Sequence, residues 1–300
     1  MPVTDDYNKA LFILNPSSGV PPVNFIVSKD LDRKKSYLTC LKSLSIDHSE
    51  TLIKENLNNY SVFVAAGGDG TVHTVATELV GSNKILGVLP LGSGNGFAKE
   101  FGFKLNLKSL LSDIKKSESL NIDVIEINDN LCLNVAGIGL DSFVAHSFND
   151  LKLRGFLPYV ILTFKTFLRL RPFHVSIKIG GEEVVSENLF VLTLANTRQF
   201  GNNAFIAPEA LPNDGIIDLV LIKPFPKILG ALFIIRLFTK RITRSKYVRH
   251  IKTEKEIEIV TDETRFHIDG EPLRISGKIK VRIKREALKV LKTARNRFIS

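Results

Sequence analysis

Val62-Phe63-Val64-Ala65-Ala66-Gly67-Gly68-Asp69-Gly70-Thr71 decides how the N-terminal part of this chain folds. Val62 to Ala66 read as a buried strand. The glycines let the backbone turn tightly and approach a ligand with no Cβ in the way. Beyond the turn, Val72, Val75, Ala76 and Leu79 recur at helical spacing. A strand that passes through glycines into a helix N-terminus presents amide donors and the positive end of a dipole, which suits a phosphate. Thr71 can cap the helix or donate to a phosphate oxygen. Asp69 would repel phosphates by itself, so it fits either a Mg²⁺ holder or a proton acceptor. The plainer reading of the pentapeptide is a tight turn with an Asp cap.

The pattern recurs on both sides. Leu11-Phe12-Ile13-Leu14 leads into Asn15-Pro16-Ser17-Ser18-Gly19, and Ile85-Leu86-Gly87-Val88-Leu89 leads into Gly92-Ser93-Gly94-Asn95-Gly96, with Phe97, Ala98 and Phe101 starting another helix. Repeated strand, loop and helix predict an α/β domain with a parallel sheet. Ligands bind such sheets at the carboxyl ends of the strands, so the three loops should line one crevice. No GxxxxGK[ST] is present, and the Gly92 loop matches a GxGxxG start only superficially.

From about residue 122 the rhythm changes. Strand-like runs dominate: Ile122–Ile127, Leu131–Val135, Val175–Ile179, Leu189–Leu194, Ile216–Ile222, Ile257–Val260 and Ile279–Ile283. Turn signals at Asn128-Asp129-Asn130 and Gly180-Gly181 predict a mainly antiparallel β-sandwich. Helical stretches interrupt it near Pro158–Leu170 and Pro226–Thr239. The expected organisation is an α/β domain over 1–121 and a β-rich domain over 122–284. A helix is expected over 285–300, with its return to the first domain left open.

The chain has 300 residues, 44% hydrophobic and 24% charged, the composition of a folded globular protein. Its net charge of +10 favours anionic partners without choosing among phosphates, nucleic acid and acidic membranes. Cys40 and Cys132 form no CxxC or zinc spacing and fit a reducing compartment. No apolar run approaches the roughly 20 residues of a membrane span. The expectation is a cytoplasmic protein with at most peripheral membrane contact. Between Lys223 and Lys252 lie nine Lys or Arg and no Asp or Glu, around the apolar run Ile228–Ile235. Lys152, Arg154, Lys165, Arg169 and Arg171 flank the other helical stretch. These read either as docking elements for an anionic inner-membrane surface or as core helices with solvated ends. Nothing resembles a nucleic-acid-binding motif.

The three loops resemble those of the diacylglycerol kinase catalytic-domain family, which includes bacterial lipid kinases and the sphingosine and ceramide kinases. The resemblance runs from about Leu11 to Glu271. Gly67-Gly68-Asp69-Gly70-Thr71 is shared with NAD kinases, so it names a superfamily. Ala207-Pro208-Glu209-Ala210-Leu211-Pro212-Asn213-Asp214-Gly215-Ile216-Ile217-Asp218 and Ile268-Asp269-Gly270-Glu271-Pro272 are similar to lipid-kinase patterns.

The resemblance implies an ATP-dependent, Mg²⁺-using kinase of diacylglycerol or a related lipid alcohol. Asn15, Pro16, Ser17, Ser18 and Gly19 would contact the nucleotide, with Gly67, Gly68, Asp69, Gly70, Thr71, Val72 and His73, and with Gly92, Ser93, Gly94 and Asn95. Asp214 would ligate Mg²⁺ by its side chain, and Leu211 and Ile216 by their carbonyls, at a site more structural than catalytic. Glu271 would accept the hydroxyl proton, with Asp69 as the rival base. Ser45 is a candidate for a further nucleotide-contacting hydroxyl. His73, Thr74 and Gly96 depart from the common bacterial pattern, and the Gly92 loop is closer to the sphingosine and ceramide kinase version. A kinase of a soluble metabolite, such as NAD, and a catalytically silent binding protein are the alternatives. The lipid acted on, and whether the chain is a monomer or a homodimer, stay open.

Overall fold

A computed structural model describes residues 10–16, 18, 38–149 and 156–296. Ser17, Gly19, Lys152 and Arg154 lie outside the described residues. Contacts divide the chain into two compact units: residues up to Ile122 with those from Glu286 on, and Asp123–Arg285.

The first unit is α/β with a parallel sheet. Its strands are β1 (Ala10–Leu14), β2 (Thr39–Lys42), β3 (Val62–Gly67) and β4 (Ile85–Pro90), in the order β2-β1-β3-β4. β1 and β3 are buried along their whole length, as a sheet covered on both faces requires. That is why they read as unbroken apolar runs. The helix Asp69–Leu79 packs Val72, Val75, Ala76 and Leu79 into the core, the four positions its spacing predicts. The helix Ile46–Asn56 starts at Ser45, whose hydroxyl accepts the His48 N–H at 3.1 Å.

The second unit is an antiparallel β-sandwich. Its strands are β5 (Ser119–Ile127), which begins in the first unit, β6 (Asn130–Cys132), β7 (Val135–Gly139), β8 (Phe173–Ile179), β9 (Glu182–Leu189), β10 (Val191–Ala195), β11 (Ile217–Ile222), β12 (Val248–Thr253), β13 (Ile257–Thr261), β14 (Arg265–Ile268), β15 (Glu271–Arg274) and β16 (Ile279–Leu291). One sheet runs β12-β11-β10-β7-β14-β15. The other contains β16, β13, β8 and β9, with β5 on β16 and β6 on β5. Ile138, Leu192, Leu194, Leu219 and Phe266 of the first meet Ile125, Val175, Ile177 and Ile259 of the second in one core. On the opposite face of β10 and β11, Val191, Ala195, Val220 and Ile222 pack against Phe167, Leu170 and Phe233. These two strands are therefore buried on both faces. Phe167 belongs to the helix Phe156–Arg169 and Phe233 to the helix Gly230–Phe238, which a 3₁₀ turn at Lys227–Leu229 precedes.

The helix expected over 285–300 is not formed among the described residues. The chain is in β16 as far as Leu291, and Lys289 and Val290 pair in parallel with Ile85 and Leu86 of β4. Leu288, Val290 and Leu291 are buried, and Glu286 has φ 51°, a left-handed conformation that no α-helix contains. The expected strand Leu131–Val135 is likewise two, β6 and β7, broken at Leu133 and Asn134.

Candidate functional site

The three loops of the first unit converge because of strand register. Leu14 pairs with Ala66, Ala66 with Leu89 and Gly67 with Pro90, so β1, β3 and β4 end level. The ladder runs one residue further: Asn15 N–H donates to Ala66 O at 3.0 Å and Leu91 N–H to Gly67 O at 2.8 Å. Side chains then tie the loops together. Asn15 Nδ2 donates to Thr71 Oγ1 at 3.2 Å, and the Ser18 hydroxyl lies 3.3 Å from the same oxygen.

Two glycines are fixed by close approach. A Cβ on Gly67 would stand 2.2 Å from Thr71 Oγ1, and one on Gly92 would stand 2.7 Å from Gly68 Cα. The first contact is with a packed side chain and the second with backbone, so neither is easily relieved. Asp69 faces the third loop, its Oδ2 3.0 Å from where a Gly94 Cβ would be. Asn95 sits in the left-handed region at φ 50° and turns its amide back to donate to Gly92 O at 2.6 Å.

No side chain caps the helix Asp69–Leu79, and Val72 N–H to Gly68 O is its first bond. The amides of Gly70 and Thr71 precede that bond, at the end of the helix that attracts anions. Val72 differs from its neighbours in the expected nucleotide set: its side chain is in the core and its N–H is engaged by Gly68. Ser45, at its helix cap, holds the other hydroxyl suggested by the sequence. Lys99 was not expected. Partial desolvation holds its ammonium below the ordinary lysine range, while the charge of Asp69 opposes that shift. A cation thus accompanies the carboxylate at the glycine loops.

In the second unit Asp214 and Glu271 both lie at turns held by another carboxylate. Asp214 Oδ1 accepts the Ile216 N–H at 3.0 Å. The next residue, Gly215, has φ 72° and donates its N–H to Asp123 Oδ2 at 2.7 Å. Asp123 is buried and its own N–H donates to Pro212 O. Desolvation raises the Asp214 carboxyl above the usual range. The Ile216 N–H lowers it in part, while the charges of Asp218 and Asp123 add to the rise. Among the described residues no three His, Cys, Asp or Glu side chains gather as a metal site. Any ion here would rely on Asp214 with backbone oxygens.

Glu271 opens β15 on the far side of a two-residue turn from Ile268 of β14. Asp269 and Gly270, at φ 53° and 90°, form the turn that twisted hairpins favour. The Asp269 carboxylate accepts the N–H groups of Leu133, Asn134 and Val135 at 2.9, 2.8 and 3.2 Å. The break between β6 and β7 is where these amides become available. Glu271 itself is exposed.

Residues 9–127 match the family model described as the diacylglycerol kinase catalytic domain, and residues 134–292 match the YegS C-terminal NAD kinase beta sandwich-like domain. A Pseudomonas putida protein named "Probable lipid kinase YegS-like" is 32% identical over 238 residues, 76% of this chain and 77% of its own. The chain belongs to the YegS-like lipid kinase family. This is a phosphotransferase family whose kinases use ATP. A diacylglycerol kinase of Mycobacterium tuberculosis is 30% identical over 165 residues, 53% of each chain. The fold of this lipid kinase is similar to that of a Bacillus anthracis diacylglycerol kinase, with a TM-score of 0.71 at 18% identity over 96% of this chain and 97% of the other. An Archaeoglobus fulgidus NAD kinase in complex with ATP gives 0.56 at 14% identity over 95% and 94%.

Gly92→Ala tests the close approach in this lipid kinase. The added methyl must push the Gly68 loop away, and overpacking of this kind costs roughly 1–3 kcal/mol. Isothermal titration with a non-hydrolysable ATP analogue should show affinity about fivefold to 10²-fold weaker, at 1.4 kcal/mol per decade. The circular dichroism spectrum should stay unchanged.

Proposed function

We propose that this lipid kinase transfers the γ-phosphoryl group of ATP to the hydroxyl of diacylglycerol or a closely related lipid alcohol. The observation that carries the reading is the meeting of three loops around Gly68 and Thr71, at the level ends of β1, β3 and β4. That arrangement supports a polyphosphate held by Asn15, Ser18, Gly67–Thr71 and Gly92–Asn95. A lipid hydroxyl is a weak nucleophile, and a carboxylate that takes its proton contributes roughly 10²–10⁴-fold. Glu271 is assigned that role, being exposed at the head of an anchored turn. Asp69, with Lys99 nearby, is assigned to the phosphate end, where bound Mg²⁺ would neutralise charge between the phosphates.

Incubation with labelled ATP, Mg²⁺ and a panel of lipids and soluble acceptors tests the reading. Label should enter a lipid alcohol. Label in NAD, or binding without transfer, would overturn it. Glu271→Gln should lower kcat by about 10²-fold or more while the KM for ATP stays near that of the parent. Near-normal turnover would remove Glu271 from the role of base.

Asp214 fits a structural Mg²⁺. Its half-buried carboxylate stands in the field of two further carboxylates, and a divalent cation relieves that repulsion. The folded carboxyl holds its proton more tightly than the unfolded one. Without metal, stability contributed here is therefore lost as pH rises through the upper carboxylate range, when the folded group must ionise. Mg²⁺ should reverse that loss at neutral pH. Thermal unfolding should show a Tm that rises with Mg²⁺ in the parent. Asp214→Asn should abolish the rise and should be no less stable than the metal-free parent.

Membrane contact belongs to the same proposal. Ile228, Leu232 and Ile235 are 88%, 40% and 58% exposed. They recur at i, i+4 and i+7, while Gly230 and Phe233 of the same segment are buried. Lys240, Arg241, Arg244 and Lys246 follow at once, in a stretch without Asp or Glu. An apolar stripe beside unopposed cations matches an anionic bilayer surface. Replacing Ile228 and Ile235 by Glu should cut co-sedimentation with phosphatidylglycerol vesicles at least about tenfold, since each buried Ile contributes roughly 1.5–3 kcal/mol. Turnover of a short-chain, monomerically dispersed substrate should not change. Equal binding of the parent to anionic and neutral vesicles would remove the electrostatic part.

A further inference from the structure

The hairpin that presents Glu271 stands on a buried His–Asp pair to which no role has been given. His267 lies in β14 with 2% of its surface exposed, four residues before Glu271. Its Nδ1 accepts the N–H of Gly270, the residue that leads into Glu271, at 3.4 Å. Its Nε2 lies 3.1 Å from Asp141 Oδ2. A ring nitrogen that accepts an amide proton carries none of its own, so the ring proton is on Nε2, beside the carboxylate but out of line for a hydrogen bond to it.

Asp141 is itself held from several sides. It is at the start of the helix Leu140–Asn149. Oδ1 accepts the Ser142 N–H at 2.9 Å, and Oδ2 lies 3.3 Å from the donating Thr193 hydroxyl of β10. A Cβ on Gly137 of β7 would stand 2.7 Å from Oδ2 and 2.5 Å from Leu192 O. The glycine makes room for the carboxylate between β7 and β10. The chain of contacts therefore runs from two strands and a helix, through Asp141 and His267, to the backbone beside Glu271.

Stability alone does not account for this arrangement. Burying an ionisable pair costs desolvation, and apolar residues of the same shape often hold a core as well. The turn does not need the pair either. Positive φ at Asp269 and Gly270 already selects its type, and the Asp269 carboxylate already ties it to three amides. The ladder between β14 and β7 fixes the register of His267 with Gly137. What the imidazole adds is a directed acceptor for one amide, that of Gly270. That contact fixes the Asp269–Gly270 peptide, one residue before the Cα from which the Glu271 side chain departs.

We infer that Asp141 and His267 are positioning residues for Glu271: the Asp141 charge beside Nε2 favours the tautomer whose Nδ1 accepts, and the imidazole fixes the Gly270 amide and so limits where the Glu271 carboxylate, one residue on, can point. The inference rests on Glu271 acting as the proton acceptor. A base misplaced by even a fraction of its working distance loses much of its effect, and errors near 1 Å cost about 10²-fold. Nucleotide binding does not pass through this contact, so the effect belongs in kcat with lipid and not in the KM for ATP.

The test is a double-mutant cycle with steady-state kinetics. His267→Phe keeps a ring of similar shape without an acceptor, and His267→Asn keeps an acceptor near the Nδ1 position. Each is made alone and with Glu271→Gln, and Asp141→Asn is made alone. His267→Phe should lower kcat by about tenfold or more with the KM for ATP within about twofold of the parent. His267→Asn should recover part of the loss, and Asp141→Asn should show a smaller loss of the same kind. In the Glu271→Gln background, His267→Phe should lower kcat no further. An undiminished effect there, or His267→Asn no better than His267→Phe, would overturn the inference and leave Glu271 as the base. Normal turnover by Glu271→Gln alone would instead overturn the base assignment. If His267→Phe does not give folded protein, the Asn pair at 267 and 141 carries the same comparison.

Discussion

The close approach of Gly68 to Gly92 is the constraint on which the three strand-end loops of the first unit depend. Two strand-end loops can meet backbone to backbone only if neither carries a Cβ at the contact and only if their strands stop level. The parallel register supplies the second condition, with Gly67 opposite Pro90. The glycines supply the first. Once both hold, Thr71 lies where Asn15 and Ser18 of the remaining loop reach it. The start of the helix Asp69–Leu79 is then surrounded by polar atoms on a rigid frame. Such a frame suits phosphoryl transfer, where positioning and charge neutralisation do most of the work.

The sandwich solves a different problem. It holds the half-buried Asp214 and the exposed Glu271 on short turns, and it does so with other carboxylates. Asp269 grips three amides at the break between β6 and β7, and Asp123 grips the Gly215 amide beside Asp214. A carboxylate that accepts backbone N–H groups is strongly bound and well directed. Asp269 lies in a motif whose neighbour Glu271 carries the proposed chemistry. Part of what makes that motif recognisable is therefore scaffolding, with Glu271 as the proposed reacting member of the pair.

The strands were legible in the sequence for one physical reason. Sheets covered on both faces demand continuous apolar runs, and β1, β3, β10 and β11 are such runs. The glycine loops were legible because close backbone approach leaves a compositional mark. The C-terminal segment was misread because its charges alternate with few apolar residues, so that Leu288 and Leu291 look like a helical face. The pairing of Lys289 and Val290 with β4, together with the left-handed Glu286, decides otherwise. Asp123, Asp141 and Lys99 left no local mark. Asp123 serves Gly215 from 92 residues away, and nothing in either segment announces the other.

The charge of the chain also changes meaning once it is placed on the fold. A net charge of +10 says only that anions are welcome, yet nine cations and no anions fall between Lys223 and Lys252. Not all of these point outward. The Lys227 ammonium is turned inward, donating to Leu170 O at 2.9 Å and lying over the rings of Phe167 and Phe190. Lys223 is paired with Glu187, and Lys252 lies 3.7 Å from Asp218. Those three explain themselves within the unit. The basic residues from Lys240 to Lys246 have no carboxylate partner among the described residues and stand next to the Ile228, Leu232 and Ile235 stripe. The segment thus divides into cations paired or turned inward within the unit and cations without a carboxylate partner, of which Lys240 and Lys246 lie over the rings of Phe205 and Tyr247. Under the membrane-docking proposal the second group would meet the bilayer while the first keeps the segment fixed to the sandwich.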